Sequence, residues 1–258
     1  MKPLVIFEMA NNHMGSFAHA KSIISKYYRL SEKFRSTIDF AIKFQYRDQK
    51  SFIHNSFLNS DDKQIKRFKD TFLQRTIWNK ILQFSRNKFT LICTPFDEVS
   101  VGNVIKDKFD YLKIASCSAT DWPLLEAIEK KVKKGRIICS LGGADEDEIS
   151  TILSFFATRK MNVQFLYCVA KYPSSPSEQN LEYFNHLRNF YGEKIAGISL
   201  HENPNEYLSG AIGYSMGARI FEKHIGLPTK SIKNNKYSVN LRQMERWLKY
   251  LNMAIEQV

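Results

Sequence analysis

The sequence predicts an α/β protein folded as a single (β/α)8 TIM barrel, on three observations. Eight short β-rich apolar runs alternate with longer amphipathic stretches along the 258 residues, the count that such a barrel requires. No Gly/Ser/Pro-rich linker or low-complexity stretch interrupts them, so one barrel domain over 1-258 is expected. Polar side chains recur at the carboxyl ends of the runs, the face on which these barrels place their chemistry. A doubly wound open sheet is the competing architecture, but it does not need eight units.

In order, the runs are Leu4 to Ala10, Asp39 to Tyr46, Thr90 to Phe96, Tyr111 to Ser116, Arg136 to Leu141, Val163 to Val169, Ala196 to His201 and Ala218 to Ile225. Helical periodicity covers Phe17 to Phe34, Asp62 to Ser85, Val99 to Lys106, Trp122 to Lys131, Glu146 to Thr158, Asn180 to Phe190 and Asn205 to Ser215, with Leu241 to Glu256 last. The first run ends at Glu8 and leads into Asn11, Asn12 and His13. The second carries Lys43 and Gln45 on one face, because positions i and i+2 of a strand share a side. The third ends in Thr94, Pro95 and Phe96, the fourth holds Lys113 and Ser116, the fifth brings Ser140, and the sixth leads to Tyr172.

The last two runs each end in a polar pair two residues apart, Ser199 with His201 and Glu222 with His224. Two histidines so placed on neighbouring strands converge on one point. Neutral imidazoles there suit Mn, Co, Fe or Zn; the bland alternative is a hydrogen-bonded structural histidine. Lys43 and Lys113, each inside an apolar strand, are costly to bury without an anionic partner. A bound phosphate or carboxylate at the barrel mouth answers that cost, with a snorkelling or edge position as the alternative.

Composition narrows the function classes. The amino terminus has too short an apolar run for a signal peptide, and no segment approaches the roughly 20 apolar residues that span a bilayer. A cytoplasmic protein without a membrane partner is expected. Cys93, Cys117, Cys139 and Cys168 show no CxxC pairing, which reads as buried, reduced thiols rather than a disulfide or zinc cluster. The net charge is +12, but the surplus lies on polar helix faces (Lys26, Arg29, Lys33 and Arg35; Lys63, Lys66, Arg67 and Lys69). Without zinc-finger spacing, an aromatic-rich single-strand motif or a basic tail, nucleic acid is not an expected partner.

The blocks EMANNHMGS, AIKFQ, CTPFD, LKIAS, CSLGG, YPSSP, GISLH and EKHIGL resemble, in order and spacing, those of the sialic acid synthase family, whose members make N-acetylneuraminate and related nonulosonates. The resemblance runs from Phe7 to about Arg242. It implies condensation of phosphoenolpyruvate with an open-chain sugar aldehyde in a TIM barrel, using Mn2+ or another divalent ion such as Mg2+ or Co2+. By matched position, Lys43, Gln45, Thr94, Lys113, Ser116, Ser140 and Ser199 would hold phosphoenolpyruvate, and His201 and His224 the metal. Glu8 would position or deprotonate water, and Tyr172 would line the sugar pocket. Phe96 and Asn234 stand beside these as candidate substrate contacts, and a homodimer is also implied.

The departures fall on the sugar side. Cys117 and Ser118 replace a Gly-Glu pair, Ala170 an Asn, and Leu200 the middle residue of Ser-Asp-His. Ile232, Lys233 and Asn234 replace Gly-Pro-Asp. The sequence stops at Val258, where relatives commonly continue into a small antifreeze-like domain that supplies an arginine, so no such domain is expected here. The leading expectation is therefore a synthase with an altered acceptor. The alternative is a non-catalytic or partner-dependent barrel subunit that binds phosphoenolpyruvate or a similar acid, with a lid supplied by another protein.

Overall fold

Each apolar run forms a short strand in a computed structural model that describes residues 2–57, 59–132 and 135–257. The strands are β1 (Leu4–Glu8), β2 (Asp39–Tyr46), β3 (Thr90–Pro95), β4 (Tyr111–Ile114), β5 (Arg136–Ser140), β6 (Val163–Cys168), β7 (Ile195–Leu200) and β8 (Ile220–His224). Neighbours in sequence pair in parallel, and β1 pairs with β8, so the sheet closes into the expected barrel. Several strands stop one or two residues before the apolar run does. At β1 the cause is visible: Ala10 turns the chain with φ of 45°.

The covering helices are α1 (Phe17–Glu32), α2 (Gln49–Phe52), α3 (Lys63–Asp70), α4 (Arg75–Ser85), α5 (Glu98–Lys106), α6 (Trp122–Lys131), α7 (Glu146–Thr158), α8 (Pro176–Gln179), α9 (Leu181–Tyr191), α10 (Ser209–Ser215) and α11 (Leu241–Gln257). Side-chain caps start many of them: Ser16 for α1, Asp97 for α5, Asp121 for α6, and an Asp145/Glu148 capping box for α7. One expectation fails here. The stretch Asp62 to Ser85 is two helices, because the chain leaves the helix after Thr71 to bury Leu73 and restarts at Arg75. The short α2 and α8 carry no periodicity long enough to read. No helix among the described residues is long and apolar enough to cross a membrane.

Alternation along the strands sorts two cores and positions the site. Ile6, Ala41, Ile92, Ile138, Leu166, Ala196 and Ile220 form one apolar cluster, which plugs the barrel interior, with Tyr111 beside it. Outward neighbours such as Phe7, Ile42, Leu91, Ile114 and Phe221 join the larger core beneath the helices. Two residues beyond the plug stand Glu8, Lys43, Thr94, Lys113, Ser140, Cys168 and Glu222, on the same inward face and one step nearer the mouth. On β7 an irregularity in the register with β6 resets this alternation, so that Ala196 and Ser199 both face inward. Gly197 is required there, since a Cβ would overlap the Ile220 carbonyl of β8.

Candidate active site at the barrel mouth

The centre of the inward polar layer is a buried ion cluster. Lys43 Nζ lies 2.9 Å from Glu8 Oε2 and 2.9 Å from Glu222 Oε1, and 3.4 Å from Thr94 Oγ1. Gln45 Nε2 donates to Glu8 Oε1 at 2.9 Å, and Ser199 Oγ donates to Glu222 Oε1 at 3.2 Å. Lys43 thus meets its burial with two carboxylates of the protein. Lys113 does not: its ammonium donates to Ser140 Oγ (2.6 Å) and to the Ile114 carbonyl (2.9 Å), with no carboxylate in ion-pair contact among the described residues.

The two carboxylates differ in proton affinity. Burial raises the pKa of Glu8, with the Glu222 charge adding to it and Lys43 opposing. Burial acts on Glu222 too, but the attraction of Lys43 and then Lys113 outweighs it and holds that pKa at about 2. Glu222 is therefore ionised at neutral pH, and Glu8 is the member better able to carry a proton. With both ionised, two lysines and two glutamates cancel, so an anionic ligand needs a further cation to be attracted here.

The histidines converge as the spacing implies, with ring centroids 5.2 Å apart. Burial keeps both neutral: His201 is lowered to about 4, and His224 falls well below its ordinary value, with His201 repulsion adding to burial. His201 Nδ1 lies 3.2 Å from the Val169 carbonyl, which only accepts, so Nδ1 carries the proton and Nε2 keeps a free lone pair. His224 Nδ1 and Glu222 Oε2, two residues apart on one strand face, are buried without a hydrogen-bond partner. Neutral imidazoles beside unsatisfied buried acceptors fit a divalent cation. No three His, Cys, Asp or Glu side chains form a ligand group among the described residues. Two imidazole nitrogens are the donors that stand together here, fewer than the closed set of a structural metal site.

The other expected residues surround this centre. Tyr172, half exposed, packs its ring 4.2 Å from that of His201. Ser116 Oγ accepts from the Gly142 amide at 3.0 Å; a Cβ at Gly142 would come within 2.9 Å of that oxygen and 2.8 Å of Cys168 Sγ. Asn234 lies against Gly226, two residues past His224, and bonds the Ser238 carbonyl, outside the ion cluster. Phe96 is turned away from the cluster and stacks beneath Arg47 at 4.0 Å.

Two sequence expectations are corrected. Cys117 is exposed rather than buried, because Ser116–Ser118 forms a 3-10 turn at the mouth just past the fourth run. Arg67 is not a solvated helix-face cation: it is half-buried and reaches Asn12 Oδ1 at 3.5 Å. The structure also adds residues. Glu222 was visible only as the partner of His224. Tyr237 places its ring 4.9 Å from His224 and 5.1 Å from Tyr172, walling the histidines from a loop without a readable pattern. Lys223, inside an apolar strand like Lys43 and Lys113, pairs with Glu202 at 2.5 Å and ties the loop after His201 to β8. Its signal was the same misplaced charge.

His13 gives the first testable consequence. Its Nδ1 accepts from the Gly15 amide at 3.1 Å, and burial, with Arg47, His19 and Arg67 adding, lowers its pKa to about 4. The unfolded chain, titrating near ~6.5, binds the extra proton first as pH falls. Stability therefore drops between about pH 6.5 and 4, by about 3 kcal/mol from this group. Urea unfolding across that range should show a shallower slope in His13→Asn, whose Oδ1 keeps the acceptor without titrating. Equal slopes would remove His13 from the acid response.

Comparison with known proteins agrees with the barrel fold. The NeuB family model matches residues 34–257. A crystal structure from Chromobacterium violaceum, described as spore coat polysaccharide biosynthesis protein E, superposes with a TM-score of 0.93 at 38% identity, covering 99% of this chain and 76% of that one. The pseudaminic acid synthase of Campylobacter jejuni is 26% identical over 268 residues, covering 98% of this chain and 74% of the enzyme. Mouse N-acetylneuraminate-9-phosphate synthase is 27% identical over 150 residues, 58% of this chain. The matched part spans 40% of the mouse enzyme.

Proposed function

The chain belongs to the NeuB family, and from that premise we propose that it condenses phosphoenolpyruvate with an open-chain sugar aldehyde. The product is a nonulosonic or related 3-deoxy-2-keto acid, with release of phosphate. The observation that carries the reading is the inward polar layer, in which a buried Lys113, without a carboxylate partner among the described residues, stands near a neutral histidine pair. The names of the pseudaminic acid and N-acetylneuraminate-9-phosphate synthases support the same reaction class.

In this reading Lys113 and Ser140 bind an oxygen of phosphoenolpyruvate, and Ser116 and Ser199 bound the same face. Lys43, Gln45 and Thr94 fix the carboxylate side by charge and hydrogen bonding, with Glu8 and Glu222 holding Lys43 in place. His201 and His224 would hold a divalent cation such as Mn2+, which would supply Lewis acidity and the missing positive charge. The methylene carbon of phosphoenolpyruvate bonds to the aldehyde carbon as the C=C and C=O π bonds open, and the aldehyde oxygen takes a proton from solvent water. Water adds at the carbon bearing the phosphate, the C–O bond to phosphate breaks, and the keto acid remains. Glu8, whose proton affinity burial raises, receives the proton of that water. Tyr172 and Tyr237 exclude solvent from the acceptor side. Phe96 and Asn234 are second-rank candidates for acceptor contacts. A cytoplasmic setting is part of this reading, supported by the soluble substrates it uses.

The test is phosphate release from phosphoenolpyruvate with Mn2+ across hexoses, hexosamines and their phosphates. Release that requires both an acceptor and the divalent ion is expected; no release with any acceptor, from protein shown to bind the metal, would overturn the enzymatic reading. A second reading, a barrel that works only under a cover supplied by a partner or a second copy, is favoured by one observation. Loops at the mouth expose Met14, Phe57, Phe72, Tyr172 and Leu208, each at 44% or more. Under it, turnover begins only when the covering protein is added.

A further inference from the structure

We propose that the cavity beside Gln45 receives a phosphate monoester at the far end of the sugar acceptor, recognised by Arg47. The inference rests on the reading that the barrel binds such an acceptor. The cavity holds about 240 Å3 and lies between the mouth ends of β1 and β2 and helices α2 to α4. At about 30 Å3 per water, that is room for a phosphate and part of a carbon chain. A hydrogen-bonded line joins it to the ion cluster: Arg47 Nη2 donates to Gln45 Oε1 at 2.8 Å, and Gln45 Nε2 donates to Glu8. A ligand reacting above the cluster can therefore extend past Gln45 into the cavity.

Arg47 is built as a recognition group. Its guanidinium stacks on Phe96, Phe68 and Phe52, at 4.0, 4.6 and 5.3 Å from the ring centroids, which fixes the plane of its fork. Among the described residues it makes no ion pair, and its hydrogen bond goes to a neutral amide. Nε is buried without a partner. Glu8 attracts the charge but is already held by Lys43 and Gln45. A half-buried cation with its Nε wholly buried and unpartnered calls for an anion from outside the protein.

Among the described residues no carboxylate of the lining is in ion-pair contact with Arg47. Arg75 is paired with Asp107. Asp48 lines the cavity too, but its Oδ2 accepts from the amide and hydroxyl of Ser51. Gln49 and Asn103 add neutral amide groups to the wall, while the Thr71 and Ser100 hydroxyls already donate to the Arg67 carbonyl and to Asp97. A phosphate monoester matches this set better than a carboxylate, since it offers three acceptor oxygens to one fork and the two side-chain amides.

The test uses acceptor analogues without a carbonyl, so that no turnover intervenes. Isothermal titration calorimetry compares the 6-phosphates of glucitol, mannitol and galactitol with the parent hexitols and with inorganic phosphate. At least one hexitol phosphate should bind about tenfold or more tighter than its hexitol and than inorganic phosphate. Arg47→Met, which keeps the apolar stem on the rings, should abolish that preference, and Arg47→Lys should reduce it. If Arg47→Met melts well below the wild type, Arg47→Lys carries the comparison. No preference for any hexitol phosphate, equal binding of inorganic phosphate, or a preference unchanged in the folded variants would overturn the proposal. Because binding is read without phosphoenolpyruvate, a barrel that releases no phosphate can still pass or fail.

Discussion

Replacing Lys43 with Met is expected to destabilise the barrel by about 3–5 kcal/mol and to abolish turnover, since removing one partner of a buried ion cluster leaves the others uncompensated. The ammonium lies 2.9 Å from both Glu8 and Glu222, and all three side chains are almost wholly buried. Without it the two carboxylates face each other inside the barrel, and at least one must take up a proton at neutral pH. The acid limb of stability should change as well. Glu222 is held at about 2 in the folded chain, with Lys43 the leading favourable cause. It thus contributes stability that is present above its ordinary carboxylate pKa and is lost as pH falls toward about 2. In Lys43→Met that loss should be largely absent. Urea unfolding of both proteins from pH 7 to 3 measures the two effects together; a destabilisation under about 1 kcal/mol would mean that the cluster is not the electrostatic centre described here.

His201→Ala and His224→Ala should each lower affinity for Mn2+ by about 100-fold or more, beyond the 10–100-fold typical of outer-sphere partners, while the barrel stays folded. In the proposed site each would supply one of the two nitrogen donors, and burial already keeps both in the neutral form that a cation needs. Phosphoenolpyruvate affinity should fall with the metal, because the lysines and glutamates of the cluster cancel. Titration of Mn2+ by electron paramagnetic resonance, with circular dichroism as the folding control, separates these effects. Unchanged metal affinity in both variants would remove the metal from the histidine pair.

The barrel was legible because its signals are local. Each strand is a short apolar run, and period-two alternation puts Ile6 and Glu8, Ala41 and Lys43, or Ile138 and Ser140 on one face without any tertiary information. A lysine inside such a run announced itself as buried, and Lys43, Lys113 and Lys223 all are. What answers each lysine was not legible, since Glu222 reaches Lys43 across the barrel from β8 and Glu202 reaches Lys223 from a loop. Arg47 was hidden for the same reason: its three aromatic neighbours come from α2, α3 and the end of β3, at spacings that no periodicity records. The break between α3 and α4 escaped because Leu73 is drawn inward by tertiary packing while both flanking stretches remain helical in pattern.

A crystal soaked with Mn2+ and phosphoenolpyruvate, with anomalous data collected at the manganese edge, tests the central claim most directly. The expected result is a manganese peak bound by the imidazoles of His201 and His224, with phosphoenolpyruvate against Lys113 and Ser140. Absence of that peak at saturating Mn2+, or phosphoenolpyruvate bound away from the two lysines, would contradict it.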